Sequence, residues 1–65
     1  MGYLQFDVVM LLDDFPEEGL RAGDSGTVID IYSTPVEGYE VEFCDEQGRT
    51  LALLALSSDQ IRPVK

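Results

Sequence analysis

Residues 39–44, YEVEFC, alternate strictly between apolar and polar positions, with an acid at each polar position inside the run. Period two belongs to a β-strand with one face buried and the other in water. Tyr39, Val41 and Phe43 therefore point to a core, while Glu40 and Glu42 form a wet, acidic face. A helix would scatter the same residues around its axis and bury at least one glutamate. The rest of the chain has to fold around this strand.

Turn signals bracket it on both sides. STPVEG carries Pro35 and Gly38, and DEQG ends in Gly48, which suits a positive φ. A hairpin between YEVEFC and the following RTLALLAL is the natural result. TLALLAL by itself is ambiguous, because leucine and alanine also favour helix, but its shortness and flanking turns favour a strand. As a strand it places Leu51 and Leu53 on one side and Ala52, Leu54 and Leu56 on the other. Both sides are apolar, so surplus leucines such as Leu54 and Leu56 need cover from the long loop, a terminal segment or another chain.

Upstream, FDVVMLL and TVIDIY read as strands rich in β-branched and aromatic residues. Between them, DDFPEEGLRAGDSG is too interrupted by Pro16, Gly19, Gly23 and Gly26 to form an α-helix. Phe15 and Leu20 are placed to pin this long acidic loop to the core. Gly23 and Gly26 read as architectural, supplying positive φ or a close backbone approach where the loop turns into TVIDIY. At the other end, Ser57 or Ser58 can cap a single helical turn with Asp59 inside it. Ile61 and Val64 then return to the core, and Pro63 belongs to an edge strand.

The expected fold is all-β: one domain over residues 1–65, a small five-stranded SH3-like barrel with a long first loop and a single 3-10 turn before the last strand. A chain of 65 residues buries only about 60% of its unfolded surface and is marginal alone. Cys44 is the only cysteine and there is no histidine, so a disulfide or zinc staple inside the chain is ruled out. Binding of a basic partner protein, or self-association through the two-sided apolar strand, is the supplement left open.

Thirteen acids face four bases, for a net charge of −9. Such a field repels a phosphate backbone and suits a basic partner. The glycine-rich stretch from Gly19 to Gly26 contains no lysine, so it is not a phosphate loop. It leads into β-branched residues and not a helix, so it is not a dinucleotide fingerprint either. The loop acids Asp13, Asp14, Glu17, Glu18 and Asp24 do not match the spacing of a calcium loop. Cys44 sits beside Asp45 and Glu46, which dull a thiolate, and no histidine exists to activate it. Tyr3, Tyr32 and Tyr39 lack interleaved basic residues, so core packing accounts for them better than a base-stacking platform. No catalytic, cofactor or metal site is expected. The opening MGYLQFDVVMLLDD has no basic segment or cleavage pattern of a secretory leader, and no apolar run spans a bilayer, so the expected location is cytoplasmic.

F-D-V-V-x-L, P-E-x-G-L-x-x-G-x-x-G-T-V, Y-x-V-E-F and the closing Q-I-R-P-V follow one another in this order across nearly the whole chain. With them the sequence resembles a family of very short bacterial proteins of unknown function. That resemblance implies an SH3-like barrel and a place beside a larger partner gene in toxin–antitoxin-like pairs. GDSGTVIDI is also similar to the glycine-turn-to-strand motif of KOW-type barrels in ribosomal and transcription proteins, although Asp24 and Asp30 stand where RNA-binding modules carry bases. The same G-x-x-G-x-V is similar to the C-terminal barrel of nitrile hydratase β-type subunits, which implies subunit docking.

The resulting expectation is a non-catalytic, acidic protein–protein interaction module, antitoxin-like or accessory to a larger basic protein. Its contact residues are expected to be Asp13, Asp14, Glu17, Glu18, Asp24, Glu40, Glu42, Leu54 and Leu56. The competing expectation is a KOW-like module associated with RNA or the transcription and translation machinery.

Overall fold

The computed structural model describes residues 2–34 and 36–64; Pro35, one of the two expected turn markers before YEVEFC, lies outside them. Five strands form one antiparallel sheet: β1 (Val8–Leu11), β2 (Ser25–Tyr32), β3 (Gly38–Cys44), β4 (Thr50–Leu56) and β5 (Ile61–Pro63). Their spatial order is β4-β3-β2-β1-β5. The all-β, five-stranded expectation holds, with two corrections. First, the sheet does not close into a barrel. Closure would pair β4 with β5, and β5 is only three residues long and ends in Pro63, which has no N–H to give. Second, the described residues hold two 3-10 turns: Pro16–Glu18 lies inside the long loop, in addition to Ser58–Gln60 before β5.

The core is wholly apolar. Val9, Leu11, Leu20, Val28, Tyr39, Val41, Phe43, Ala52, Leu56 and Ile61 are buried, and among the described residues no polar or charged one joins them. Tyr39, Val41 and Phe43 come from alternate positions of β3, as the alternation requires. Fully burying a side chain such as Phe43 contributes roughly 1.5–3 kcal/mol. Tyr3 packs edge-on against Tyr39, with ring centroids 5.4 Å apart. The Tyr39 hydroxyl accepts from the Tyr3 N–H at 3.2 Å and reaches Glu37 at 3.3 Å, so its polar end is satisfied.

The long loop is fixed at both ends. Leu20 is buried and Phe15 packs beside the core, while their backbones pair across the 3-10 turn. Gly19 and Gly23 take positive φ, +74° and +92°, a region closed to most other residues. Gly26 serves differently. It stands on the inner face opposite Val9, where the Phe43 ring lies against its backbone.

A one-residue bulge sets the faces of β2. Val28 pairs with Val41 and Asp30 with Glu40, leaving Ile29 without an opposite number. Unbroken alternation after the buried Val28 would turn Asp30 into the core. The bulge instead puts Asp30 outside with Glu40 and returns Ile31 to the face of Tyr39.

At the C-terminal end, Ser57 and Gln60 form a reciprocal cap on the second 3-10 turn. Ile61 returns to the core as expected, but Val64 does not and remains exposed.

Candidate functional site

The outer face of the sheet carries the acids of β3. Cross-strand rows follow from the registers: Val8–Thr27–Glu42–Leu53 is one, and Asp30–Glu40–Ala55 is the next. At roughly 4.8 Å per strand, the first row spans about 14 Å. Both of its ends are apolar and half exposed to solvent, Val8 at 52% and Leu53 at 52%, with a carboxylate between them.

Neither β3 glutamate is loose. Thr50 donates its hydroxyl to Glu42 at 2.6 Å, and Tyr32 donates its phenol to Glu40 at 2.8 Å. The bond to the Glu40 carboxylate holds the Tyr32 phenol above its ordinary pKa of 10.0, with the charges of Glu40 and Asp30 acting in the same direction. Core packing is the expectation for Tyr32 as it is for Tyr3 and Tyr39. The structure puts only the latter two together, and Tyr32 sits outside with the acids. The period-two pattern could have shown this only if the bulge at Ile29 had been visible.

The loop acids divide by role. Asp14 accepts from the Ala22 N–H at 2.9 Å and Asp24 from the Arg21 N–H at 2.9 Å, so both hold the loop's own shape. Asp13, Glu17 and Glu18 are exposed, the latter two on the Pro16–Glu18 turn. Among the described residues no three acidic or sulfur groups converge as a metal would need.

The leucines require a correction. Leu56 is buried in the core and Leu54 packs partly against it, whereas Leu51 and Leu53 are 54% and 52% exposed. The surface leucines of β4 are therefore Leu51 and Leu53, not Leu54 and Leu56. The cause lies in β3. Its buried residues pair with Ala52, Leu54 and Leu56, which fixes that side of β4 as the inner one.

A shallow cleft of about 230 Å³ brings loop and sheet together. Leu20, Asp24, Ser25, Phe43, Cys44 and Leu51 line it, so the base of the acidic loop meets an exposed leucine there. A wider cleft of about 470 Å³ lies at the opposite end, with Tyr32, Val36, Glu37, Ala55 and Leu56 among its walls. No sequence signal pointed to it. The basic residues Arg21, Arg49 and Arg62 stand on the loop, the β3–β4 turn and β5, and Arg49 is already paired with Asp45 at 2.9 Å.

An open five-stranded sheet with an acidic, partly apolar outer face defines a small all-β domain. The chain belongs to the family described as a domain of unknown function, DUF4926, whose pattern matches residues 5–63. Comparison with curated proteins and with solved structures found no match.

Proposed function

We propose that this domain is a non-catalytic docking module that binds a larger, basic protein through its outer sheet face and the exposed acids of its long loop. The observation that carries this reading is the juxtaposition of Glu42 with Leu53 and of Glu40 with Ala55 in adjacent cross-strand rows. Each acid has an apolar neighbour, and that combination fits a surface bearing lysine or arginine interleaved with apolar groups. Asp13, Glu17 and Glu18, on the loop joining β1 and β2, extend the negative field beyond the ends of those strands and steer a basic partner toward it. The net charge of −9 supports the same sign of partner. An antitoxin-like or accessory role in the cytoplasm is the form this takes if the resemblance to short bacterial partner proteins extends to function.

The test is co-purification from the native host followed by affinity measurement with the recovered partner. A stoichiometric basic partner is expected, bound more weakly as salt rises. Glu40→Lys together with Glu42→Lys should cost at least tenfold in affinity. Recovery of the chain alone, or affinity untouched by both reversals, overturns the reading.

A further inference from the structure

Three strand edges in this sheet end without a neighbouring strand, and two of them are blunted. β5 is three residues long and carries Arg62 and Pro63, both of which discourage a further strand. The upper part of β2 runs on past β1, but its edge groups are taken by side chains. The Ile29 carbonyl accepts from Gln5 Nε2 at 3.0 Å, and the Ile31 N–H donates to Asp30 Oδ1 at 2.8 Å. The third edge, β4, has none of these devices. It is seven residues long and contains no charge, proline or glycine. Its irregularity is confined to the start, between the Cys44–Thr50 and Phe43–Ala52 pairs, so residues 52–56 run regularly.

The hydrogen-bonding direction of β4 follows from that of β2. Val28 accepts from Phe6 and donates to Asp7, so its backbone groups face β1. Its partner Val41 therefore turns its own groups toward β4 and bonds Leu54. By alternation Leu53 and Ala55, opposite Glu42 and Glu40, turn their N–H and C=O groups to the open edge. Among the described residues, nothing outside the β3–β4 ladder is hydrogen-bonded to them. Both residues are exposed.

We infer that β4 pairs edge to edge and antiparallel with β4 of a second copy of this chain, joining two five-stranded sheets into one. Only an extended strand satisfies such a row of backbone groups, and an uncharged strand is compatible with its own copy about a two-fold axis. The acidity of the chain is no obstacle at that distance. Glu42 and its symmetry mate would stand three strand spacings apart, about 14 Å. The screening length at physiological ionic strength is about 8 Å. Pairing also supplies the association that a chain of this size, with one cysteine, has no internal staple to replace. The side chains of Leu53 stay on the outer face, so the acidic docking face would be doubled and not hidden.

Sedimentation equilibrium of the full chain over a dilution series should give twice the 7.2 kDa chain mass at the concentrated end. Added salt should tighten this association, opposite to its effect on a basic partner. In amide exchange, Leu53 and Ala55 should become protected as concentration rises. Leu53→Pro, which removes an edge-facing donor, should return the mass to that of one chain. If that variant does not fold, the exchange measurement on the unaltered chain decides. A single-chain mass at every concentration overturns the inference, as does a dimer whose Leu53 and Ala55 amides exchange freely, or one weakened by salt. Each of those results leaves the basic-partner reading standing, because that reading is tested by Glu40 and Glu42 reversal.

Discussion

A Cβ placed on Gly26 would lie 2.8 Å from two carbons of the Phe43 ring and 2.8 Å from the Glu42 carbonyl oxygen. Gly26 and Phe43 thus form one packing unit across β2 and β3, with the ring occupying the space a side chain would need. Gly26→Ala should destabilise the domain by about 1–3 kcal/mol in urea unfolding, the usual cost of overpacking. Gly23→Ala should cost about 1–2 kcal/mol for another reason: nothing stands within 4 Å of its Cβ, but φ is +92°. The two causes separate on shrinking the ring. Phe43→Leu should recover part of the Gly26→Ala loss and none of the Gly23→Ala loss. Equal behaviour of the two glycine variants would refute this division.

Phe6 is the one non-glycine residue among those described with a positive φ, +74°, yet its ring is 68% exposed. The turn holding it is tied down: its N–H bonds the Val28 carbonyl, and Leu4 and Asp7 close on each other. Strain of about 1–2 kcal/mol is therefore borne by a side chain with little contact to lose. Phe6→Gly should leave stability unchanged or raise it by up to about 1 kcal/mol, after allowing for the entropy of glycine. A fall of more than that in thermal or urea unfolding would show that the exposed ring packs against the domain.

How much of this was legible beforehand varies with the physics of each segment. YEVEFC showed its faces openly, because every second residue is charged or apolar without exception. The loop's anchoring by Leu20 and the positive φ of Gly23 and Gly48 were also readable, since each rests on a single residue type with a single use. Which side of β4 faces inward was not. TLALLAL offers apolar groups to both sides, and only its pairing with Tyr39, Val41 and Phe43 decides which side is inside. The exposed position of Tyr32 was hidden for a related reason, since a bulge at Ile29 leaves no mark in composition. Barrel closure likewise depends on whether β4 and β5 meet, a long-range relation that no local pattern encodes.

Leu53 and Leu56 test the facing of β4 directly. Leu56 is 3% exposed and Leu53 52% exposed, though both are leucines of one strand. Leu56→Ala should cost about 2–5 kcal/mol. A chain of this length is expected to have only about 3–10 kcal/mol in total, so the loss would be a large fraction of its stability. Leu53→Ala should stay within about 0.5 kcal/mol of the parent under dilute conditions. Similar losses at both positions in chemical denaturation would mean that Leu53 is covered in solution, which bears on the β4 edge.

The Tyr32–Glu40 bond gives the domain a defined response to alkali. The phenol donates to the carboxylate at 2.8 Å, and ionising it would set two negative charges side by side. The folded state therefore holds the Tyr32 proton more tightly than the unfolded chain, which raises its pKa above 10.0. A group raised in the folded state contributes its stability below the unfolded value. That contribution is lost as pH climbs from 10.0 through the raised value. Absorbance titration at the tyrosinate band should show a late-ionising step that is lost in Tyr32→Phe. Glu40→Gln should bring that step down toward the ordinary value, since it removes the carboxylate acceptor and the largest nearby charge together. A titration curve unchanged by Glu40→Gln would mean that Tyr32 and Glu40 are not bonded in solution, and the acidic outer face would then be less rigid than its geometry implies.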